Sequence, residues 1–179
     1  MSFPKHVNTR PGTTRRVRLE GYDYSLPGYY FVTLCTHSRL PYLGSISNDS
    51  MSFSPAGTMV QQTVIESATK FAATTMDSFV VMPNHIHILI GLAVHLNDVA
   101  GTSNLIDVVH WIKSTTHHRY RNGVLKHGWE PYDHHVWQEG YHDHIVRNER
   151  ELETIRAYIG TNVKRWGKDV YYDVFTEWG

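Results

Sequence analysis

One short stretch constrains this chain more than any other: Phe79-Val80-Val81-Met82-Pro83-Asn84-His85-Ile86-His87-Ile88-Leu89-Ile90. On a β-strand, residues two apart point to the same face. His85 and His87 therefore project together, while Ile86, Ile88 and Ile90 line the opposite, apolar face. Phe79 to Met82 predicts the preceding strand, and Pro83 and Asn84 suit the central positions of a tight turn. The hairpin so formed presents two imidazoles as a pair, which is part of a site for a divalent metal.

Spacing alone proves little in a chain with 13 His, and His142 and His144 form a second pair two apart. The first pair carries more weight because it interrupts an apolar strand, where an unpartnered polar side chain is costly.

A length of 179 residues suits one domain, 1–179, with a sizeable core. Hydrophobic content of 41% and charged content of 19% are those of a soluble globular chain. The single cysteine, Cys35, excludes an intrachain disulfide and a cysteine-rich zinc site, and fits the cytoplasm. No apolar run approaches the ~20 residues that span a bilayer, and the N-terminus lacks the apolar segment of a signal peptide. A formal net charge of zero is not that of a general DNA coater, so any nucleic-acid role rests on local patches.

The chain opens on a basic arm, 1–19, with Arg15, Arg16 and Arg18 and no acid before Glu20. Tyr29 to Thr36 predicts a strand, and Leu43 to Phe53 a hairpin around Asn48-Asp49-Ser50. Pro55 suits the start of a helix running to about Phe71. After the His-bearing hairpin, Asn104 caps a second helix that Asn122-Gly123 is expected to end. Its outer side carries Lys113, Arg119 and Arg121, a second basic feature. Lys126 to His135 is expected to be irregular and Val136 to Val146 a strand. Asn148 and Glu151 then make a capping-box-like start to a last helix, ended by Gly167 and followed by an aromatic tail, 168–179. Leu152, Ile155, Ile159 and Trp166 form its buried stripe. Gly160 inside it costs about 1 kcal/mol relative to Ala, which points to close approach of another backbone or to looseness. This order predicts an α+β fold, an antiparallel sheet with helices packed on it.

Tyr158 and Asn162 lie four apart and so share one face of the last helix. If that helix covers the His-bearing face, Asn162 supplies an oxygen ligand beside His85 and His87. Two imidazoles and one carboxamide oxygen leave positions open for substrate oxygens, which suits Mg²⁺ or Mn²⁺ acting on a phosphate. A tyrosine hydroxyl placed there is a competent covalent nucleophile.

These residues carry a resemblance. The chain resembles the single-tyrosine HUH transposases (His, hydrophobic residue, His), and within them the REP-associated tyrosine transposases linked to repetitive extragenic palindromes. The similarity runs from about Arg15 to Trp166. It rests on Arg18-Leu19-Glu20-Gly21-Tyr22-Asp23-Tyr24, Gly28-Tyr29-Tyr30-Phe31-Val32-Thr33 and Val81-Met82-Pro83-Asn84-His85-Ile86-His87. It continues through Trp137-Gln138, Tyr141, His144-Ile145-Val146-Arg147-Asn148 and Tyr158-Ile159-Gly160-Thr161-Asn162. Val163, where the family often has Pro, and Gly160 depart from the pattern.

The resemblance implies a ferredoxin-like HUH domain with His85, His87 and Asn162 as metal ligands and Tyr158 as nucleophile. It implies cleavage of single-stranded DNA near hairpins through a 5′-phosphotyrosine, with rejoining that needs neither ATP nor another nucleotide cofactor. The expected partner is single-stranded or hairpin DNA, contacted through Arg15, Arg16, Arg18, Lys113, Arg119 and Arg121, with no membrane involved. The protein is expected to be a monomer or homodimer. Two other classes compete. One is a non-catalytic hairpin-DNA binder with the same fold. The other is a cupin-type metalloenzyme, which needs nearly all-β patterning that three helical segments contradict. Tyr141 is the alternative nucleophile, although it lacks an Asn four residues on.

Overall fold

The computed structural model describes residues 21–71, 73–93 and 104–168. The basic arm with Arg15, Arg16 and Arg18, most of the connection after the His-bearing hairpin, and the tail beyond Lys168 lie outside the described residues.

Strands β1 (Gly28–Cys35), β4 (Thr74–Val81), β5 (His85–Leu92) and β6 (His142–Val146) form one four-stranded sheet in the order β4-β5-β1-β6. Every neighbouring pair is antiparallel. Between β1 and helix α1 (Pro55–Lys70), strands β2 (Gly44–Ser47) and β3 (Ser50–Phe53) make a separate hairpin. Asn48 and Asp49 turn it at φ of 49° and 57°, the left-handed pair that a two-residue hairpin needs. Helix α2 (Leu105–His127) joins β5 to β6, and α3 (Glu149–Thr161) follows β6. The path β1-α1-β4-β5-α2-β6 is the split βαβ arrangement of ferredoxin-like folds, as expected. The cupin alternative fails here, because the sheet is built with long helices rather than closed into a β-barrel.

Alternation along the strands divides the interior. Tyr30, Val32 and Leu34 of β1 and Ile86, Ile88 and Ile90 of β5 join one core, with Val60 and Val64 of α1 and Val108, Val109 and Ile112 of α2. The other face of β5 carries His85, His87 and Leu89. Leu89 packs with Leu152, Ile155 and Ile159 of α3 in a second, smaller cluster. Thus α1 and α2 cover one face of the sheet, and α3 covers the face that bears the His pair.

Three boundaries differ from expectation. Helix α2 passes through Asn122-Gly123 and ends at Gly128, which adopts φ 65° and so caps it in the left-handed conformation. Gly123 serves packing instead: a Cβ there would meet the Trp129 ring at 2.2 Å. The strand expected over 136–146 is confined to β6, because Gly140 turns at φ 77°. Val136 and Trp137 before it are buried, with an isolated bridge from Trp137 to Thr36. Finally, α3 gives way after Thr161 to a 3-10 helix, Val163–Lys168, which contains the Gly167 expected as the stop.

A Cβ on Gly160 would meet no atom within 4 Å among the described residues, so close backbone approach does not explain the glycine. Gly160→Ala is therefore expected to stabilise the protein by about 1 kcal/mol, through helix propensity alone. Urea unfolding measures this, and a destabilised variant would show that the helix needs the glycine's freedom.

Candidate active site

Both histidines on the α3 side of β5 are buried, His85 at 0% and His87 at 2% exposure. Their Nε2 atoms converge to 3.1 Å. Each Nδ1 is held from behind: His85 by Asn84 Oδ1 at 2.8 Å, and His87 by Thr33 Oγ1 at 2.8 Å. Thr33 is the β1 residue paired with His87, so the sheet register itself supplies this contact. Phe31, two residues earlier on β1, stacks on the His87 ring with centroids 5.2 Å apart.

The position of α3 over this face is fixed by apolar packing and by one ion pair. Asp77 falls at an irregularity in the β4–β5 register, between Met76 and Ser78. Arg156 of α3 grips its carboxylate with two nitrogens, Nε to Oδ1 at 2.8 Å and Nη2 to Oδ2 at 2.5 Å. That bidentate contact holds the Asp77 carboxyl below its ordinary range. Further along the same helix, Tyr158 Oη lies 3.3 Å from His87 Nε2, and its ring meets Phe31 edge-on at 6.0 Å. Trp166 stacks over His85 with centroids 6.0 Å apart.

Asn162 lies in the chain between Tyr158, which contacts His87, and Trp166, which stacks on His85. Its side chain is 1% exposed, and neither Oδ1 nor Nδ2 has a hydrogen-bond partner among the described residues. A buried amide left so costs about 1–3 kcal/mol. A cation held by His85, His87 and Asn162 would satisfy its oxygen, so this donor set fits a divalent metal. No group of three or more His, Cys, Asp or Glu side chains suited to a metal occurs among the described residues. The set is one of nitrogen and carboxamide oxygen, with positions left open.

Burial keeps both rings neutral, as ligation requires. It pushes the His87 pKa down to about 3 and that of His85 well below 6.5, where the cost of a second proton beside His87 and the nearby Arg39 cation add to burial. The unfolded chain thus binds more protons than the fold between about pH 3 and 6.5, and stability rises with pH across that window. The stabilisation is fully present above pH 6.5 and lost as pH falls towards 3. Metal-free protein is expected to lose about 2 kcal/mol from His87 between pH 7 and pH 5, with His85 adding in the same direction. Urea midpoints that do not change over this range would show that the rings are not neutral and buried.

The basic residues of α2 lie on the far side of the sheet from this cluster. Lys113 Nζ donates to the Gln138 and Gly140 carbonyls at 2.8 and 2.7 Å. Arg119 pairs with Glu66 at 2.7 Å. Arg121 is exposed. Tyr141 packs against the core shared by α1 and α2, away from the histidines. His144, of the second His pair, binds Glu151 Oε1 at 2.7 Å and so ties β6 to the start of α3.

Four residues at the site were not expected from the sequence. Asn84 and Thr33 back the two imidazoles. Arg150 of α3 and Arg165 of the 3-10 helix that follows line, together with Tyr158, a groove of about 510 Å³. Helical spacing could have offered Arg150, about two turns before Tyr158 on α3, but not Arg165, which lies beyond the end of that helix.

Residues 29–162 match the family model described as transposase IS200 like. A protein of Haemophilus influenzae is 31% identical over 173 residues, covering 88% of this chain and 92% of that protein. Among solved structures, a REP-associated tyrosine transposase bound to a REP hairpin superposes with TM-score 0.55 at 18% identity, over 84% of this chain and 75% of that one. A transposase-like structure from Deinococcus radiodurans gives TM-score 0.47 at 18% identity, over 80% and 95% of the two chains.

Proposed function

This chain belongs to the IS200-like transposase family, and from that premise we propose that it cleaves and rejoins single-stranded DNA beside hairpins, with Tyr158 as the nucleophile. The observation that carries the reading is the placement of Tyr158 Oη at 3.3 Å from His87 Nε2, on the helix that also bears the unsatisfied Asn162. His85, His87 and Asn162 would hold Mg²⁺ or Mn²⁺. When bound there, the ion would polarise the scissile phosphate and offset charge developing on its oxygens.

The chain's own residues do the rest. Tyr158 Oη attacks phosphorus and gives its proton to water. The bond from phosphorus to the 3′-oxygen breaks, and that oxygen leaves as a 3′-hydroxyl after taking a proton from solvent. The product is a 5′-phosphotyrosine, whose ester bond keeps the energy for the reverse attack, so no ATP is consumed. Phe31 and the α3 packing hold the phenol ring in line. Arg150 and Arg165 provide phosphate contacts on both sides of Tyr158. Hairpin DNA is the substrate class suggested by the ligand of the solved transposase relative. The Arg15, Arg16, Arg18 arm and Arg121 add phosphate contacts. Lys113 and Arg119 support the fold first, being held by carbonyls and by Glu66. A single domain over 1–179, working in the cytoplasm, fits this activity. The contact of Tyr158 with a histidine of its own chain supports use of the tyrosine in cis, whether the protein is a monomer or a homodimer.

Incubation with labelled single-stranded hairpin DNA and Mn²⁺, followed by denaturing electrophoresis, tests the proposal. A covalent protein–DNA band is expected. Tight hairpin binding without any adduct would instead make the protein a binder that does not cleave. Deleting residues 1–18 is expected to weaken hairpin binding and to flatten its salt dependence, by about 0.7–0.9 in log–log slope for each phosphate the arm neutralises. Unchanged affinity and slope would remove the arm from DNA recognition.

A further inference from the structure

We propose that Thr33 and Asn84 are positioning residues that set the tautomers of His87 and His85, with Thr33 as a reversible switch that lets both imidazoles face one cation. The inference rests on the metal assignment above and extends it to residues behind the ligands.

Four side chains form one line: Thr33, His87, His85 and Asn84. The order of donors along it follows from what each atom can do. A carboxamide oxygen only accepts, so at 2.8 Å from Asn84 Oδ1 the His85 Nδ1 must carry the proton. Neutral His85 then presents a lone pair at Nε2. His87 Nε2 lies 3.1 Å from that lone pair and a longer 3.3 Å from Tyr158 Oη; two bare nitrogens at 3.1 Å would repel, so His87 Nε2–H donates to His85, with the Tyr158 oxygen as its weaker, second neighbour. Neutral His87 is thereby bare at Nδ1. Thr33 Oγ1–H, 2.8 Å away, donates to that nitrogen. In the metal-free protein the two histidines thus hold opposite tautomers, and the hydrogen bonds run in one direction from Thr33 to Asn84.

A cation needs lone pairs from both Nε2 atoms. His85 already offers one, because Asn84 Oδ1 holds its proton on Nδ1. His87 must move its proton from Nε2 to Nδ1, and Thr33 must turn from donor to acceptor. A hydroxyl rotor does both, whereas a methyl group does neither and a carboxamide oxygen would fix one state. No proton is gained or lost overall: it leaves one nitrogen of His87 and arrives on the other. Thr33 is 4% exposed and sits opposite His87 in the β1–β5 register, so water does not replace it. Outer groups of this kind are typically worth 10–100-fold in metal affinity.

Long-range ¹⁵N–¹H NMR of the metal-free protein reads the tautomers directly, and Mn²⁺ titration reads the switch. Nδ1–H on His85 and Nε2–H on His87 are expected. Thr33→Val, nearly equal in shape, is expected to weaken Mn²⁺ binding 10–100-fold with the fold intact, and Thr33→Ser to restore it. Asn84→Asp keeps the acceptor and is expected to keep the His85 tautomer and Mn²⁺ binding. The same tautomer on both rings of the metal-free protein, or Thr33→Val binding Mn²⁺ as wild type does, would overturn the proposal. Wild-type protein that shows the expected tautomers yet takes up no Mn²⁺ would overturn the switching role through the metal assignment itself. A metal site that binds Mn²⁺ with unchanged affinity in Thr33→Val would leave that assignment standing and remove Thr33 alone.

Discussion

Tyr158→Phe is expected to abolish the covalent protein–DNA adduct and to reduce strand cleavage by a factor on the order of 10⁴ or more, as removal of other catalytic nucleophiles does. The substitution deletes one oxygen. That oxygen lies a long 3.3 Å from His87 Nε2, while the ring's edge-on packing against Phe31 and its contact with the His87 ring remain. Fold, Mn²⁺ binding and hairpin binding should therefore survive, and the loss should appear in the chemical step alone. A phenol has a pKa near 10 and attacks poorly at neutral pH unless held against a phosphate whose charge is offset. Placing nucleophile and Asn162 on one rigid element fixes their relative position, which is the positional advantage the reaction needs. An adduct that persists in Tyr158→Phe but vanishes in Tyr141→Phe would transfer the role to Tyr141. Cleavage unaffected by either change would mean that water is the nucleophile, and that the protein is a nuclease.

His85→Ala is expected to remove Mn²⁺ binding and to lower cleavage about 10²–10³-fold, the effect of losing a group that stabilises developing charge. Hairpin affinity should change little, because phosphate contacts elsewhere position the DNA. His85 is fully buried beneath Trp166, so the truncation also opens a cavity and weakens the fold. His85→Gln, closer in volume, separates the two effects. If it folds like wild type, binds hairpin DNA and still fails to cleave, the imidazole acts in the chemistry. If His85→Gln binds Mn²⁺ and cleaves at the wild-type rate, the ligand assignment is wrong.

The strongest elements of the fold were legible because they follow from local rules. The alternation in His85 to Ile90 specified which residues face the core, and Ile86, Ile88 and Ile90 do. Pro55 and the capping residues Asn104 and Asn148 stand at or next to the helix starts they mark. Where a local signal failed, a tertiary contact had taken it over. Asn122-Gly123 reads as a helix stop, but Gly123 is small so that Trp129 can lie on it, and α2 continues to Gly128. Gly140 shortened a strand whose first residues are apolar for burial rather than for pairing.

The site divides in the same way. The sequence by itself determined which side chains belong together: a two-residue period pairs His85 with His87, and a four-residue spacing pairs Tyr158 with Asn162. Each pairing is a property of one element's geometry and needs nothing beyond it. Only the tertiary structure decided that Tyr158 meets His87. The bidentate grip of Arg156 on Asp77 and the packing of Leu152, Ile155 and Ile159 on Leu89 set α3 over the His-bearing face. Thr33 and Asn84 became partners of the imidazoles in different ways. Asn84 is a neighbour in sequence whose turn aims it at His85, whereas Thr33 is 54 residues from His87 and is brought to it by the β1–β5 register. Strand register and helix docking are sums over many distant contacts, and no local pattern encodes them. The placement of Lys113 and Arg119 across the sheet from the histidines was beyond the sequence for that same reason.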